Sequence, residues 1–115
     1  MQEKFRFEDG PDDATRTLAS SGDLDSAAAG NLSGRVEQAL AAGKRRVIVD
    51  LTEVTFIETG ALNQLLDANA RVARFGAQMP IVIPRDSQIR RVFSITRLDR
   101  VLKVVESRQE ALLAS

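Results

Sequence analysis

The residues with the clearest chemical potential lie at one junction, Glu58-Thr59-Gly60-Ala61. An apolar run from Val47 to Leu51 predicts a buried strand, and a short connection leads to a helix that we expect to begin at Thr59. The threonine hydroxyl would then lie beside free N–H groups at a helix N-terminus, where a phosphate is electrostatically favoured. The small residues that follow could leave the backbone open to a ligand or a partner, or Gly60 could instead allow close packing of the helix against the strand.

The Thr59 hydroxyl has two interpretations, and the residues alone leave both open. It could be an N-cap that accepts a hydrogen bond from an N–H two or three residues on, as most hydroxyl residues at strand–helix junctions do. It could instead be a modification site, because a phosphate would add about −1.5 to −2 charges and three acceptor oxygens. Glu58 would oppose that phosphate by like-charge repulsion.

Composition excludes most catalytic uses of the junction. The 115 residues include no His and no Cys, so a Ser–His triad and a thiolate metal site are both impossible. The sequence also lacks a Gly-rich phosphate-binding loop. We therefore predict that the protein is not an enzyme, and we predict no catalytic residue, no metal site and no cofactor.

Charge and hydropathy limit the classes of partner that we expect for this protein. The 16 basic and 16 acidic side chains cancel, so direct binding to nucleic acid is not expected. No apolar run approaches the length of a membrane span, which predicts no membrane insertion. A cytoplasmic protein is the expectation that fits this composition.

Periodicity and turn residues predict a single α/β domain over residues 1–115. The elements follow the order strand, strand, helix and then three strand–helix pairs, which is typical of a mainly parallel sheet of four or five strands with about four covering helices. The first strand, Lys4 to Glu8, is expected at the sheet edge with Phe5 and Phe7 on one face, where it could pair with a second copy. Ser20 to Asp25 is predicted to be a loop, and Ser107 and Glu110 have the spacing of a capping box at the last helix.

The segment from Val47 to Leu62 resembles the motif of STAS domains, the anti-sigma factor antagonist family. The usual motif is a strand ending Asp-Leu-Ser, followed after a few residues by Phe-Ile-Asp-Ser-Ser-Gly-Leu. Gly22 to Asp25 is similar to the family's Gly-Glu-Leu-Asp, and Leu98 to Leu102 is similar to its Leu-Asp-Arg-Val-Leu. The resemblance covers nearly the whole chain and implies a STAS-like mixed sheet, in agreement with the pattern of elements.

The resemblance also implies a function. Unphosphorylated antagonists of this family bind a kinase-type anti-sigma factor, which is a histidine-kinase-like ATPase, and so free a sigma factor; phosphorylation switches this binding off. Aligned without gaps, Glu58 matches the motif's Asp, Thr59 its phosphorylated Ser, Gly60 its second hydroxyl residue and Ala61 its Gly. The implied phosphorylation site is Thr59. The implied partner-binding residues are Asp23, Glu58, Thr59, Gly60, Ala61 and Asn63.

Other branches of the family give alternative functions. The chain could be an accessory subunit of a membrane lipid-transport ATPase, or a scaffold module of a stressosome-type assembly. In both cases Thr59 would be an interface contact that is never phosphorylated. A phosphatase that removes the phosphate is a further candidate partner under the leading hypothesis.

Overall fold

The structure is a computed structural model that describes residues 5–113; the predicted strand residue Lys4 lies outside that range. Five strands form one sheet in the order β1-β2-β3-β4-β5. The first two strands are antiparallel, and the remaining neighbours are parallel. The strands are β1 (Phe5–Asp9), β2 (Thr15–Leu24), β3 (Arg46–Ile57), β4 (Ile81–Val82) and β5 (Val104–Val105).

Four helices complete the described part of the chain, together with a 3₁₀ turn at Leu98–Arg100. The predicted architecture, a mixed and mainly parallel sheet with covering helices, is therefore confirmed. The helices are α1 (Ser26–Ala41), α2 (Thr59–Arg74), α3 (Arg90–Ile95) and α4 (Arg108–Leu113).

The central strand β3 is buried on both faces, as its apolar sequence predicts. Val47, Val49 and Leu51 belong to the main core cluster with residues of α1 and α2. Ile48 points to the opposite face and belongs to a smaller cluster with Ala111 of α4. The sheet is therefore covered by α1 and α2 on one side and by the short C-terminal helix on the other.

The strands β2 and β3 extend further than the sequence predicts. Residues 20–24 were expected in a loop and residues 52–57 largely in a connection, but both segments pair in parallel up to Leu24 and Ile57. Two register shifts, one of them next to Gly22 with φ of +76°, accommodate the irregular sequence. The buried side chains of Leu24 and Ile57 anchor these ends in the core.

The strand β1 lies at the edge of the sheet, as expected. Its two phenylalanines differ in exposure: Phe5 is buried against the main core, whereas Phe7 is 55% exposed. Of the two aromatic side chains predicted to share a face of this edge strand, only Phe7 is therefore exposed.

The C-terminal helix begins as the capping-box spacing predicts. The Ser107 hydroxyl accepts a hydrogen bond from the Glu110 N–H at 3.1 Å. The Glu110 carboxylate in turn accepts one from the N–H of Glu106, at 3.0 Å. The Glu110 N–H is one of the donors that a helix start would otherwise leave free, whereas the reciprocal bond reaches Glu106 and not Ser107 itself.

An ion-pair network holds α4 on the sheet. Arg108 donates from Nε to the Asp50 carboxylate at 2.6 Å, and it also donates to Glu8 of β1. The other carboxylate oxygen of Asp50 accepts hydrogen bonds from the N–H and hydroxyl of Thr52. Burial alone would raise the pKa of Asp50, but the bonds from Thr52 and Arg108 outweigh burial and hold that pKa below its usual range.

We predict that Arg108→Met lowers the free energy of unfolding by roughly 1–2 kcal/mol at neutral pH, because Asp50 keeps its charge and loses its cationic partner. A depressed pKa gives stability that is fully present above the unfolded value of about 3.9 and is lost as the pH falls from that value through the lower folded one. The wild type should therefore lose more stability than the variant below about pH 4. Urea unfolding at pH 7 and at pH 3 measures both effects.

The matched control is Arg85→Met, which removes the exposed ion pair between Arg85 and Glu106. Exposed pairs contribute little, so we expect a change under about 0.5 kcal/mol. Equal effects of the two substitutions would contradict a stabilising role for the network.

Candidate functional site

The parallel pairing of β2 and β3 brings the predicted site residues to one end of the sheet. Asp23 lies opposite Phe56, and Leu24 lies opposite Ile57. The Glu58 N–H then donates to the Leu24 carbonyl at 3.1 Å. Asp23 and the junction at Thr59, which are distant in sequence, are therefore close in space.

The helix α2 begins at Thr59, as predicted, but Thr59 is not its cap. The N-cap residue is Glu58, and the Glu58 side chain makes no capping hydrogen bond to α2. Thr59 is the first helical residue and is exposed. No hydrogen bond within the described range 5–113 involves its hydroxyl. The capping interpretation of Thr59 is therefore wrong, because the backbone of Glu58 already occupies the cap position.

The Glu58 carboxylate contacts the neighbouring helix instead of its own. One of its oxygens accepts hydrogen bonds from the Ser26 N–H at 2.9 Å and from the Ser26 hydroxyl at 3.0 Å. Ser26 is the first residue of α1, so the carboxylate lies at the positive end of that helix. Such a contact typically contributes about 0.3–1 kcal/mol when it is exposed.

Gly60 makes the close approach of the two helix starts possible. A Cβ at this position would lie 2.3 Å from the Ser26 Oγ and 3.5 Å from the Ser26 Cβ. The Ser26 hydroxyl thus occupies the volume that a side chain at position 60 would need. Packing of one helix start against another, and not an open surface for a ligand, explains this glycine.

The last two predicted contact residues differ in accessibility. Asn63 is exposed on α2. Ala61 is fully buried, so its side chain packs in the core and is unavailable to a partner. Its expected role as a contact residue is therefore corrected: a small residue is needed there because the first turn of α2 lies close to the sheet.

Two residues of this surface were missed by sequence reasoning. Phe56 is 54% exposed opposite Asp23, although residues 52–57 were expected largely in a connection and Phe56 was not singled out. Ser26 was not among the predicted contact residues. The glycine in the first turn of α2 signalled a close approach at this point, but it could not identify Ser26 as the neighbour.

The described residues include neither a metal-binding cluster of acidic side chains nor a membrane-spanning helix. Residues 5–113 contain no group of three or more acidic side chains that could hold a metal ion. Within the same range, no helix is long and apolar enough to cross a membrane.

A family model described as "Mlab, STAS domain" matches residues 8–106. The chain belongs to the STAS domain family. A curated STAS relative is the TM1081 homolog of Thermotoga neapolitana, whose name describes it as a candidate anti-sigma factor antagonist; it is 30% identical over 70 residues. The aligned stretch covers 61% of each protein, so this STAS chain spans about three-fifths of that relative's length.

Solved structures share the STAS fold of this chain. An anti-sigma factor antagonist from Mycobacterium paratuberculosis has a TM-score of 0.79 at 21% identity, covering 95% of this chain and 90% of that one. Bacillus SpoIIAA in its phosphorylated form has a TM-score of 0.67 at 17% identity, covering 94% and 96%. At these identities the similarity establishes the fold alone.

We predict that Gly60→Ala destabilises this STAS domain by about 1–3 kcal/mol, because the new methyl group displaces the Ser26 hydroxyl from Glu58. In a Ser26→Ala background the nearest atom is the Cβ at 3.5 Å, an ordinary contact, and the cost of Gly60→Ala should largely disappear. Urea unfolding of the four proteins in this double-mutant cycle measures the coupling.

Gly34→Ala is the matched control, since it is also a helical glycine but has open space around its Cβ. This change should be neutral or stabilise the protein by up to about 1 kcal/mol. A Gly60→Ala penalty that is the same with and without the Ser26 hydroxyl would refute the packing explanation.

Proposed function

We propose that this STAS domain is an anti-sigma factor antagonist that acts by partner switching. Unphosphorylated, it binds a kinase-type anti-sigma factor and releases the sigma factor; phosphorylation of Thr59 ends the binding. The observation that carries this proposal is the exposed Thr59 hydroxyl, which has no hydrogen-bond partner within residues 5–113 and lies at the start of a 16-residue helix. The relatives described as anti-sigma factor antagonists support it.

The chemical step requires only an acceptor from this protein. The Thr59 Oγ1 attacks the γ-phosphorus of ATP bound to the kinase, and the bond between that phosphorus and the ADP oxygen breaks. The hydroxyl proton passes to a base of the kinase. ATP and any metal ion belong to the partner, which is consistent with a chain that has no His and no Cys.

The start of α2 suits a phosphorylated residue electrostatically. The N–H groups of its first turn receive no side-chain cap, and the helix dipole places partial positive charge there. The start of α2 would thus stabilise a phosphate on Thr59. The added charge of about −1.5 to −2 would chiefly affect the binding of a partner.

The proposed partner surface combines acidic, polar and apolar groups. Asp23, Thr59 and Asn63 are exposed, and Phe56, which lies opposite Asp23 in the sheet, is also 54% exposed. A buried aromatic anchor surrounded by polar contacts is a common arrangement at protein interfaces. A new dianion at Thr59 would disrupt such an interface by repulsion and by the cost of its desolvation.

We predict that a purified kinase-type anti-sigma factor of the source organism phosphorylates this chain at Thr59 in the presence of ATP. Mass spectrometry of the digested protein locates the phosphate. Thr59→Ala should abolish the modification and keep the binding, whereas Thr59→Glu should weaken binding about tenfold or more through like-charge repulsion. Calorimetric titration of the kinase with each variant measures the affinity.

Ser94→Glu is the matched control, because it places the same charge on an exposed hydroxyl position of another helix, α3. Its affinity should equal that of the wild type. No phosphate at Thr59 with any such kinase, together with equal affinity of the wild type and Thr59→Glu, would refute the switch. Co-purification with a lipid-transport ATPase, or with a large scaffold independent of any kinase, would then favour the alternative functions.

A further inference from the structure

Ser26 makes hydrogen bonds to two residues of the α2 region, Glu58 and Gln64. Its N–H and hydroxyl donate to the Glu58 carboxylate at 2.9 and 3.0 Å, and its carbonyl accepts from the Gln64 side chain at 2.7 Å. The hydroxyl also fills the volume beside Gly60. The start of α1 is thus fixed against the first two turns of α2.

These contacts determine the position of the Glu58 carboxylate and stabilise its negative charge. Glu58 immediately precedes Thr59, and its carboxylate has the same sign as the phosphates of an incoming ATP. Two hydrogen bonds and the positive end of α1 stabilise that charge at Ser26. Without them, the carboxylate would be free to move toward the acceptor and repel the transferring group.

We propose that Ser26 is a positioning residue for phosphoryl transfer to Thr59. It holds the Glu58 carboxylate on the start of α1, so that the acceptor hydroxyl can be approached by a polyanionic donor. This inference rests on the proposed function. Ser26 acts through Glu58, and it neither receives the phosphate nor takes part in bond breaking.

The test measures the initial rate of Thr59 phosphorylation by the kinase at low ionic strength. Ser26→Ala removes the hydroxyl and should lower kcat/KM about fivefold, in line with the net contribution of one typical hydrogen bond. Ser26→Pro removes the N–H as well, and proline is tolerated at the first position of a helix. This second variant should lower kcat/KM about tenfold or more.

The variant Glu58→Gln, which lacks the negative charge, distinguishes a positioning role of Ser26 from a general effect on the structure. In Glu58→Gln protein the side chain can still accept a hydrogen bond, but there is no carboxylate to repel the donor. Ser26→Ala should therefore have no more than about a twofold effect in that background. Ser94→Ala, on the exposed surface of α3, is the control and should match the wild type. Thermal unfolding of each variant verifies that the domain is folded.

The outcomes distinguish this inference from the function on which it rests. If the wild type is phosphorylated at Thr59 and Ser26→Ala and Ser26→Pro react at the wild-type rate, the positioning role is overturned and the switch stands. If the Ser26→Ala effect is as large in Glu58→Gln as in the wild type, Ser26 acts by another route and the inference is again overturned. If the wild type accepts no phosphate at all, the switch and the positioning role both fail.

Discussion

The parallel pairing of β2 with β3 is the interaction on which the candidate site depends. Leu24 and Ile57 lie side by side at the ends of these strands, and both are buried in the main core. Each strand is followed within two residues by a helix. The helices α1 and α2 therefore leave the sheet next to each other, cover the same face and start at nearly the same level. If β2 ended before Gly22, Asp23 and Ser26 would belong to an unanchored loop.

The N-termini of α1 and α2, which this pairing brings together, differ in whether a side chain caps them. The start of α1 has two carboxylates, since Asp25 caps it through the Ala28 N–H and Glu58 accepts from Ser26. The start of α2 has no side-chain cap, because its own N-cap residue contacts the neighbouring helix. The start of α1 is thus capped by a side chain, whereas the start of α2 beside Thr59 is not. A carboxylate that capped its own helix would have removed that difference.

Local pattern was sufficient for much of the fold. Leu62, Leu65 and Val72 share the buried face of α2 as their spacing predicts, and Ser107 accepts the hydrogen bond expected of a capping box. The mixed sheet followed from the order of elements. Residues 20–24 of β2, which include two serines, one glycine and one aspartate, could not be recognised as a strand, because their stability comes from the β3 segment opposite them. Strand propensity depends on a residue and its sequence neighbours. The end of β2, in contrast, is stabilised by pairing with residues about thirty positions away in the sequence.

The same distinction explains which parts of the site were predictable. Thr59, the proposed acceptor, and its neighbour Glu58 are adjacent in the sequence, so residue types alone were enough to propose them as site residues. The contact between Ser26 and Gly60 joins two helices, and nothing in the spacing within either helix specifies it. Gly60 leaves space for the side chain of Ser26, which belongs to a different helix.

Under the proposed function, the contact between Ser26 and Glu58 also reduces the repulsion between the Glu58 carboxylate and an incoming phosphate donor. A carboxylate beside a phosphoryl acceptor is unfavourable for an incoming anion, but an apolar residue in its place would leave the Ser26 N–H and hydroxyl without their acceptor. Binding the carboxylate to α1 satisfies those donors and offsets its charge with the helix dipole. The acidic side chain can therefore remain next to Thr59 because its charge is used in joining the two helices. For the proposed transfer, the accessibility of the acceptor is then a property of the helix–helix contact and not of the threonine alone.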